Sequence, residues 1–415
     1  MTPTTISRRT ILTLLAGTGA AALAGCEPAR TVAAAVPIPD ALLVEVGGGL
    51  GVFRGADRQT IPHAVATADG LAIYATTAAG PDTAFWRVDT ATGRASARVS
   101  LPGRWVPQAV SASGTLVALT PQRQEVTAAR PAGREVTPVL IADTTGVRHR
   151  LDLPGNFVPE AFTADLTGLF VLEWIPAAAP DRYRVRVVDL ATGAPGQLFT
   201  RDKSPVPPGA EEEMRGDGRQ AVLAPDRATL YTLYTHQPDH RHTRDLISGR
   251  PGNAHAFVHT LSLNAWWAYC IDLPHPFGEG PAGGHAIAIS PDGRRLYVTD
   301  VTSGTTAEIS TEDLSVLRTI PDARGTGTAY AAVDSDRLFV GAGPAVRTSD
   351  LTRLARTTDW PVREPVRGVV PSRDGARLYL GQTNAVSWHD PATGAELGRV
   401  AVPGLVAVRG LAGPG

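Results

Sequence analysis

The stretch "GHAIAISPDGRRLYVTD", residues 284–300, holds two short apolar runs on either side of a turn made of Ser, Pro, Asp and Gly. Two apolar runs joined by such a turn are typical of a β-hairpin. Similar phrases recur along the chain, and a repeat with a period of a few tens of residues is typical of solenoids and propellers. The copies are "HAVATADGLAIYAT" from His63, "QAVSASGTLVALT" from Gln108, "EAFTADLTGLFVLE" from Glu160, "QAVLAPDRATLYTLY" from Gln220, "YAAVDSDRLFVGA" from Tyr330, "RGVVPSRDGARLYLGQ" from Arg367 and the short "RGLAGPG" from Arg409.

Most copies continue into two further strands. A third apolar run ends in Asp and a turn, as in "FWRVDTATG", "VLIADTTG", "VRVVDLATG" and "VSWHDPATG", and a short fourth run follows. A four-stranded sheet of this kind has two apolar faces, so neighbouring copies must stack face to face. Radial stacking gives a β-propeller, which leaves few exposed strand edges. The sequence therefore predicts an all-β fold, a single β-propeller of four-stranded blades over residues 41–415.

The two ends of the repeat region complement each other. The N-terminal "ALLVEVGGGLGVFRGADRQTI" supplies three strands without a first strand, and the C-terminal "LVAVRGLAG" supplies a first strand without the other three. Together they predict one composite blade. With the seven internal copies the count is eight blades, and a seven-bladed ring is the alternative.

The first twenty-five residues predict an export signal. Arg8 and Arg9 precede an uncharged stretch that ends at Gly25 and is shorter than the about 20 apolar residues that span a membrane. "LAGC", ending at Cys26, resembles a bacterial lipobox, and "SRRTIL" resembles a twin-arginine signal with Ile11 in place of the usual Phe. We therefore expect a signal peptide over residues 1–25, lipidation of Cys26, a flexible spacer over residues 26–40 and an extracytoplasmic body anchored to the cell membrane. The general export route is the alternative to the twin-arginine route.

The repeat also resembles a known group of propellers. "RRLYVTD" and "ARLYLGQ" resemble the repeats of bacterial secreted YVTN-type propellers, relatives of the lactonase-like and WD40-like propellers, although Asp300 stands where that motif has Asn. The resemblance covers roughly residues 41–415 and implies the propeller fold. It does not imply one activity, because the group includes both lactone hydrolases and binding proteins.

A polar residue begins the first strand of every copy and is followed by Ala or Gly. In a propeller the first strand lines the central channel, so these residues are predicted to form a ring around one channel mouth. They either hydrate the channel or bind an anionic or sugar-like ligand. The ring consists of His63, Gln108, Glu160, Gln220, His285, Tyr330, Arg367 and Arg409.

A histidine-rich insertion interrupts the fourth internal copy. The segment "QPDHRHTRDLISGRPGN" should emerge on the same face as the ring and overhang it. His and Asp side chains at this density are candidate metal ligands, with a flexible polar loop as the alternative. The candidates are His236, Asp239, His240 and His242.

An acidic run and the second cysteine have simpler interpretations. The acidic run Glu211, Glu212 and Glu213, in the insertion before the fourth copy, is typical of a solvated segment, with a cation site as the alternative. Cys270 lies in the apolar run "WWAYCIDL", which predicts a buried and unreactive thiol.

The composition limits the possible functions. With 39 basic and 40 acidic residues and no basic block, the chain is not expected to bind nucleic acid. The sequence contains no Gly-x-Ser-x-Gly, His-Glu-x-x-His or Cys-x-x-Cys motif, so we expect a binding or interaction protein rather than an enzyme. It would act as a monomer, through the channel-mouth face, on a small ligand, a glycan or an envelope protein. No cofactor is expected, with a divalent metal ion as the alternative.

Two other functions stay open. One is a metal-assisted lactonase-like hydrolase in which Glu160, His63 and His285 hold the ion. The other is a propeller that only braces a larger envelope complex.

Overall fold

The structure is a computed structural model, and it describes residues 37–122, 125–127 (backbone only), 130–215, 219–252 and 254–413. The predicted signal peptide, Cys26 and most of the predicted spacer lie outside these ranges. Within them, no helix is long and apolar enough to cross a membrane.

Eight four-stranded antiparallel sheets form a closed ring, so the predicted eight-bladed β-propeller is confirmed. We number the blades in the order of the sequence copies, with the composite blade as blade 8. The first strands of successive blades contact one another around the axis, which makes them the innermost strands.

The described part of the chain begins with three strands of blade 8, and blades 1 to 4 follow. The first strands are β1 (Ile38–Val46), β2 (Gly49–Gly55) and β3 (Asp57–Pro62). Blade 1 contains β4 (Ala64–Ala66), β5 (Ala72–Ala79), β6 (Asp82–Asp89) and β7 (Val99–Leu101). Blade 2 contains β8 (Val106–Val110), β9 (Val117–Thr120), β12 (Val136–Asp143) and β13 (Gly146–Pro154), and β10 (Glu125–Thr127) and β11 (Arg130–Pro131) form a separate two-stranded sheet between β9 and β12. Blade 3 contains β14 (Asn156–Phe162), β15 (Gly168–Ile175), β16 (Arg182–Asp189) and β17 (Pro195–Gly196). Blade 4 contains β18 (Arg219–Leu223), β19 (Thr229–Tyr234), β20 (Phe257–Ser262) and β21 (Ala268–Asp272).

Blades 5 to 7 follow the repeat without large insertions. Blade 5 contains β22 (His285–Ile289), β23 (Arg295–Asp300), β24 (Thr305–Ser310) and β25 (Ser315–Pro321). Blade 6 contains β26 (Ala329–Val333), β27 (Arg337–Ala342), β28 (Ala345–Asp350) and β29 (Arg356–Pro361). Blade 7 contains β30 (Val369–Pro371), β31 (Leu378–Gln382), β32 (Ala385–His389) and β33 (Glu396–Ala401). In the part of the chain that the structure describes, two short helices occur in loops, α1 (Thr243–Ser248) and a 3-10 helix (Ala282–Gly284).

The composite blade closes the ring as predicted. The last strand, β34 (Leu405–Leu411), pairs antiparallel with β1, with Leu42 opposite Leu411 and Glu45 opposite Ala407. Blade 8 is thus built from both ends of the described chain.

The hairpin turns explain why the repeat folds this way. In blade 5 the Ser290 hydroxyl donates to the Asp292 carboxylate at 2.5 Å, and the carboxylate accepts the backbone N–H of Arg294 at 3.0 Å. Ser290 Oγ also accepts the N–H of Arg295 at 3.0 Å, which fixes the start of β23. Short side chains that bond to their own backbone favour turns over continued strand. Equivalent bonds start from Thr67, Thr163 and Ser372.

The core lies between the blades. Leu233 and Val258 of blade 4 pack with Leu296 of blade 5, and each is at most 1% exposed. Each blade buries both faces against its neighbours, so the hydrophobic core consists of the layers between adjacent blades.

Two insertions differ from the repeat and together cover the outer part of blades 3 and 4. The first joins β17 to β18, and the second joins β19 to β20 and contains α1. The acidic run lies in the first insertion, and the histidine-rich segment lies in the second.

Candidate metal centre and the channel mouth

The predicted ring residues lie near the starts of the inner strands. Every blade runs from its inner to its outer strand in the same order, so the inner strands begin on one face of the ring. The residues are not equivalent along their strands, however. Gln108, Glu160 and Arg409 lie at β-bulges, where the register of the inner strand shifts by one residue. His285 lies one residue further from its turn than Gln220 does. The one-residue difference between His285 and Gln220 can be counted in the sequence, whereas the bulges are visible only in the strand pairing.

Several ring side chains bond to neighbouring strands. Glu160 forms an ion pair with Arg219 of the next blade, and Arg409 forms one with Glu45. Gln220 donates from Nε2 to the backbone oxygen of His285 at 2.5 Å. The Glu160 and Gln220 contacts join neighbouring blades, whereas the Arg409–Glu45 pair lies within blade 8. The use of the ring as a ligand site stays a prediction.

The two ring histidines occupy different environments. His63 is exposed, whereas His285 is fully buried. His285 Nε2 accepts the N–H of Gly278 at 3.0 Å, and Nδ1 lies 3.2 Å from the carbonyl oxygen of Pro281. Burial lowers the pKa of His285. Its two ring nitrogens are therefore occupied by backbone groups, and it does not join His63 and Glu160 in a metal site.

A different group of side chains has the geometry of a metal site. Among the described residues, the one group of three or more His, Cys, Asp or Glu side chains close enough to share an ion is Glu212, His240 and His242. Their ligand atoms all lie within 4.8 Å of one another. Glu212 Oε2 lies 3.4 Å from His242 Nδ1 and 3.6 Å from His240 Nε2. The side chains are 15%, 4% and 2% exposed for Glu212, His240 and His242.

The second insertion fixes the two imidazoles. His242 precedes α1, and its backbone N–H donates to the Asp245 carboxylate at 3.2 Å. The His240 ring stacks on Phe257, with 4.5 Å between ring centroids, and the His242 ring meets the same phenyl edge-on at 4.8 Å. The backbone of His240 forms an isolated bridge with Ala254.

An aspartate side chain and a backbone N–H group hold two of the proposed ligands in place. His242 Nε2 lies 2.5 Å from Asp272 Oδ1, which leaves Nδ1 directed at Glu212. Glu212 Oε1 accepts the backbone N–H of Thr243 at 2.8 Å. A carboxylate on the far nitrogen of a metal-binding histidine is the usual means of fixing its tautomer and ring orientation.

Strands β20 and β21 bring two further donors close to this group. His259 and Cys270 are directly opposite each other, so their side chains lie on the same face of the sheet. Cys270 Sγ donates to Glu212 Oε2 at 3.0 Å. Burial, together with the Glu212 charge, raises the pKa of the Cys270 thiol well above its usual range, and burial lowers the pKa of His259 to about 4. The predicted burial of Cys270 is confirmed, since it is 2% exposed.

The site is electrostatically balanced in the absence of an ion. Burial would raise the pKa of Glu212, but the imidazoles of His240 and His242 hold it well below its usual range. Burial would lower the pKa of His242, but Asp272 and Glu212 outweigh that effect and raise it to about 9. A carboxylate and an imidazolium thus compensate each other.

The cluster opens onto a cavity of about 490 Å³. Strands β16, β20 and β21 form one side of it, and the two insertions form the other. Glu212, His242, His259 and Cys270 all belong to its lining. A volume of this size is typical of small-molecule sites.

The structure corrects the predicted position of the histidine-rich segment. His240 and His242 do not overhang the channel mouth. The insertion folds outward, so that His242 contacts Asp272 on the outermost strand β21. His236 and Asp239 lie outside the three-residue group: His236 Nδ1 bonds the Thr235 hydroxyl at 2.9 Å, and Asp239 is exposed.

The interpretation of the acidic run as solvated is wrong for Glu211 and Glu212, whose side chains are 17% and 15% exposed, while Glu213 remains exposed. The flanking residues Ala210 and Met214 are both buried, at 5% and 1% exposure. Apolar residues on both sides of the acidic run could have indicated that this segment packs against the propeller. The contact of Asp272 with His242 was also not predicted from the sequence.

Similarity to known proteins is limited to the fold. No protein-family model and no curated protein matches the chain. Among solved structures, the dihydro-heme d1 dehydrogenase NirN, in complex with DHE, is 14% identical with a TM-score of 0.52, over 92% of this chain and 77% of that one. AztD from Citrobacter koseri is 12% identical with a TM-score of 0.52, over 89% and 96%. Sqt1 from Saccharomyces cerevisiae is 8% identical with a TM-score of 0.50, over 82% and 85%. At such identities the likeness supports the propeller fold alone.

Proposed function

We propose that this protein is a lipid-anchored, extracytoplasmic β-propeller that binds a divalent transition metal ion through Glu212, His240 and His242. The observation that carries the proposal is the convergence of these three donors, two of them on buried histidines and one on the half-buried Glu212. His240 Nε2 is buried without a hydrogen-bond partner, since Glu212 Oε2, at 3.6 Å, is beyond hydrogen-bond distance. An unpaired buried nitrogen costs free energy, and an ion between these atoms would remove that cost.

Two of the three separations between ligand atoms suit a tetrahedral ion. Donors about 2.0–2.2 Å from zinc are separated from each other by roughly 3.3–3.6 Å. The separations of Glu212 Oε2 from His242 Nδ1 and His240 Nε2, 3.4 and 3.6 Å, agree with this spacing. Two imidazoles and one carboxylate are donors for ions of the zinc class, whereas calcium and magnesium require mostly oxygen donors.

Titration calorimetry with ZnCl₂ on the full chain tests the metal proposal. We expect one ion per chain, and His240→Ala should lower the affinity at least tenfold. His275→Ala is the matched control, because that histidine is 64% exposed and lies outside the site. Equal zinc affinity in wild type and His240→Ala would contradict the proposal.

The anchor rests on the sequence. The lipobox-like "LAGC" and the resemblance to secreted YVTN-type propellers support export and lipidation at Cys26. In cells, Cys26→Ser should move the protein from the membrane fraction to the soluble fraction. An unchanged distribution would exclude the lipid anchor.

A metal-assisted hydrolase is the second candidate function. It is favoured by the cavity, because Glu212 and His242 line it and a bound ion would be accessible to a carbonyl group. Turnover of aryl esters and lactones by the zinc-loaded chain tests this function. Rates no higher than those of His240→Ala would exclude it.

A further inference from the structure

The proposed ion would have an unfilled position on the cavity side. Glu212, His240 and His242 supply three ligands, and a tetrahedral ion takes a fourth. Glu212 and His242 belong to the cavity lining, whereas His240 is packed behind them against Phe257. His259 and Cys270 lie nearby but are not members of the group whose ligand atoms are all within 4.8 Å of one another, so the fourth ligand would come from the cavity.

The charged side chains of the cavity lining would not neutralise a bound divalent ion. Three guanidinium groups, three carboxylates and His242 line the cavity, and an ion would displace the His242 proton, so two positive charges would remain in excess. An anion in the fourth position would reduce that excess in a partly desolvated site. The charged lining residues are Arg186, Arg201, Arg244, Asp202, Glu211 and Glu212.

Arg186 places a guanidinium group in the cavity lining, where it could contact such an anion. Its Nε and Nη1 atoms are buried and make no hydrogen bond, although Glu173 and Glu211 lie at ion-pair distances of 3.2 and 3.6 Å. The side chain is 14% exposed. Guanidinium groups bind carboxylates with two parallel N–H bonds.

Apolar side chains form much of the remaining wall. Phe199 and Val206 come from the first insertion, and Ile247 comes from α1. Ile247 is 54% exposed, which is unusual for a large aliphatic side chain beside a cavity. This wall would bury the carbon skeleton of a ligand, not a fully polar molecule.

We propose that the cavity binds a small organic acid with an apolar body, and that the acid's carboxylate completes the coordination of the metal ion. The inference rests on the proposed function, because it requires the ion at Glu212, His240 and His242. The apolar body lies against the two insertions, and Arg186 provides a second contact for the carboxylate.

The probe is 3-phenylpropionate, with the neutral 3-phenylpropan-1-ol as its matched control. Each is titrated into the full chain loaded with zinc and into the same chain treated with a chelator. We expect the acid to bind at least tenfold more tightly to the zinc-loaded chain and the alcohol to show no dependence on zinc. Equal affinity of the acid with and without zinc, or no binding to the zinc-loaded chain, would overturn the inference.

A cobalt spectrum tests the coordination step directly. With Co²⁺ in place of zinc, 3-phenylpropionate should change the visible absorption bands of the ion, and the alcohol should not. Arg186→Gln should weaken acid binding while leaving the zinc stoichiometry at one ion per chain. Zinc content measured in the same samples separates the two proposals: absence of zinc overturns both, whereas bound zinc without a ligand effect overturns this one alone.

Discussion

Asp272 provides the sharpest test of the metal centre, because it touches the site only through His242. Its Oδ1 lies 2.5 Å from His242 Nε2, and the other ring nitrogen faces Glu212. In Asp272→Asn the amide keeps the size of the side chain but loses the charge that favours the required tautomer. Loss of such outer-shell carboxylates lowers metal affinity by about 10–100-fold.

The lower end of that range applies here. The Asp272 side chain is 43% exposed and shares its charge with Arg244, whose Nη2 lies 2.5 Å from Oδ2. We therefore expect zinc affinity to fall about tenfold, equivalent to about 1.4 kcal/mol. Competition against a chromophoric chelator measures it, with Asp239→Asn as the control because that aspartate is exposed and outside the site. Equal zinc affinities of Asp272→Asn and wild type would refute the assigned role of Asp272.

Three further predictions concern stability. Gly394→Ala should lower the free energy of unfolding, measured in urea, by about 1–3 kcal/mol, because φ of Gly394 is +75° and the new Cβ would lie 2.4 Å from Trp360 Cγ. Gly410→Ala is the control and should have a much smaller effect, because its Cβ would meet no atom within 4 Å. The hydrogen bond from the Ser290 hydroxyl lowers the pKa of Asp292 in the folded protein. The ionised carboxylate therefore stabilises the fold above the unfolded pKa of about 3.9, and this contribution is lost as pH falls below that value. Asp292→Asn should reduce the loss of unfolding free energy at acid pH, and an unchanged pH dependence of stability would contradict this. Zinc at one hundred times its dissociation constant should raise the unfolding free energy by about 2.7 kcal/mol, detected as a higher melting temperature that a chelator reverses.

The fold could be predicted from the sequence because the residues that form its hairpin turns are close in sequence and recur in several blades. The Ser290–Asp292 turn recurs in blades 1, 3 and 7, and each turn fixes one hairpin with bonds between residues close in sequence. The pairing of β1 with β34 followed from counting strands. Bulges at Gln108 and Glu160 were not predictable, because they depend on packing between blades and not on apolar periodicity.

The metal centre was only half predicted. The density of histidines identified His240 and His242, but the direction in which their insertion folds is set by contacts with Phe257 and Asp272, which lie outside the insertion on β20 and β21. Glu212 lies in a run of three acids, where composition alone suggests exposure. The packing of the surrounding segment, and not the composition, separates Glu211 and Glu212 from the exposed Glu213.

The pairing of β34 with β1 means that the ring cannot close until residue 411 has been synthesised. The sheets of blades 1 to 7 contain only residues that precede β34, so they can form before it is available. Until β34 pairs with β1, blade 8 lacks its innermost strand, and the sides of blades 7 and 1 that face blade 8 are not fully covered.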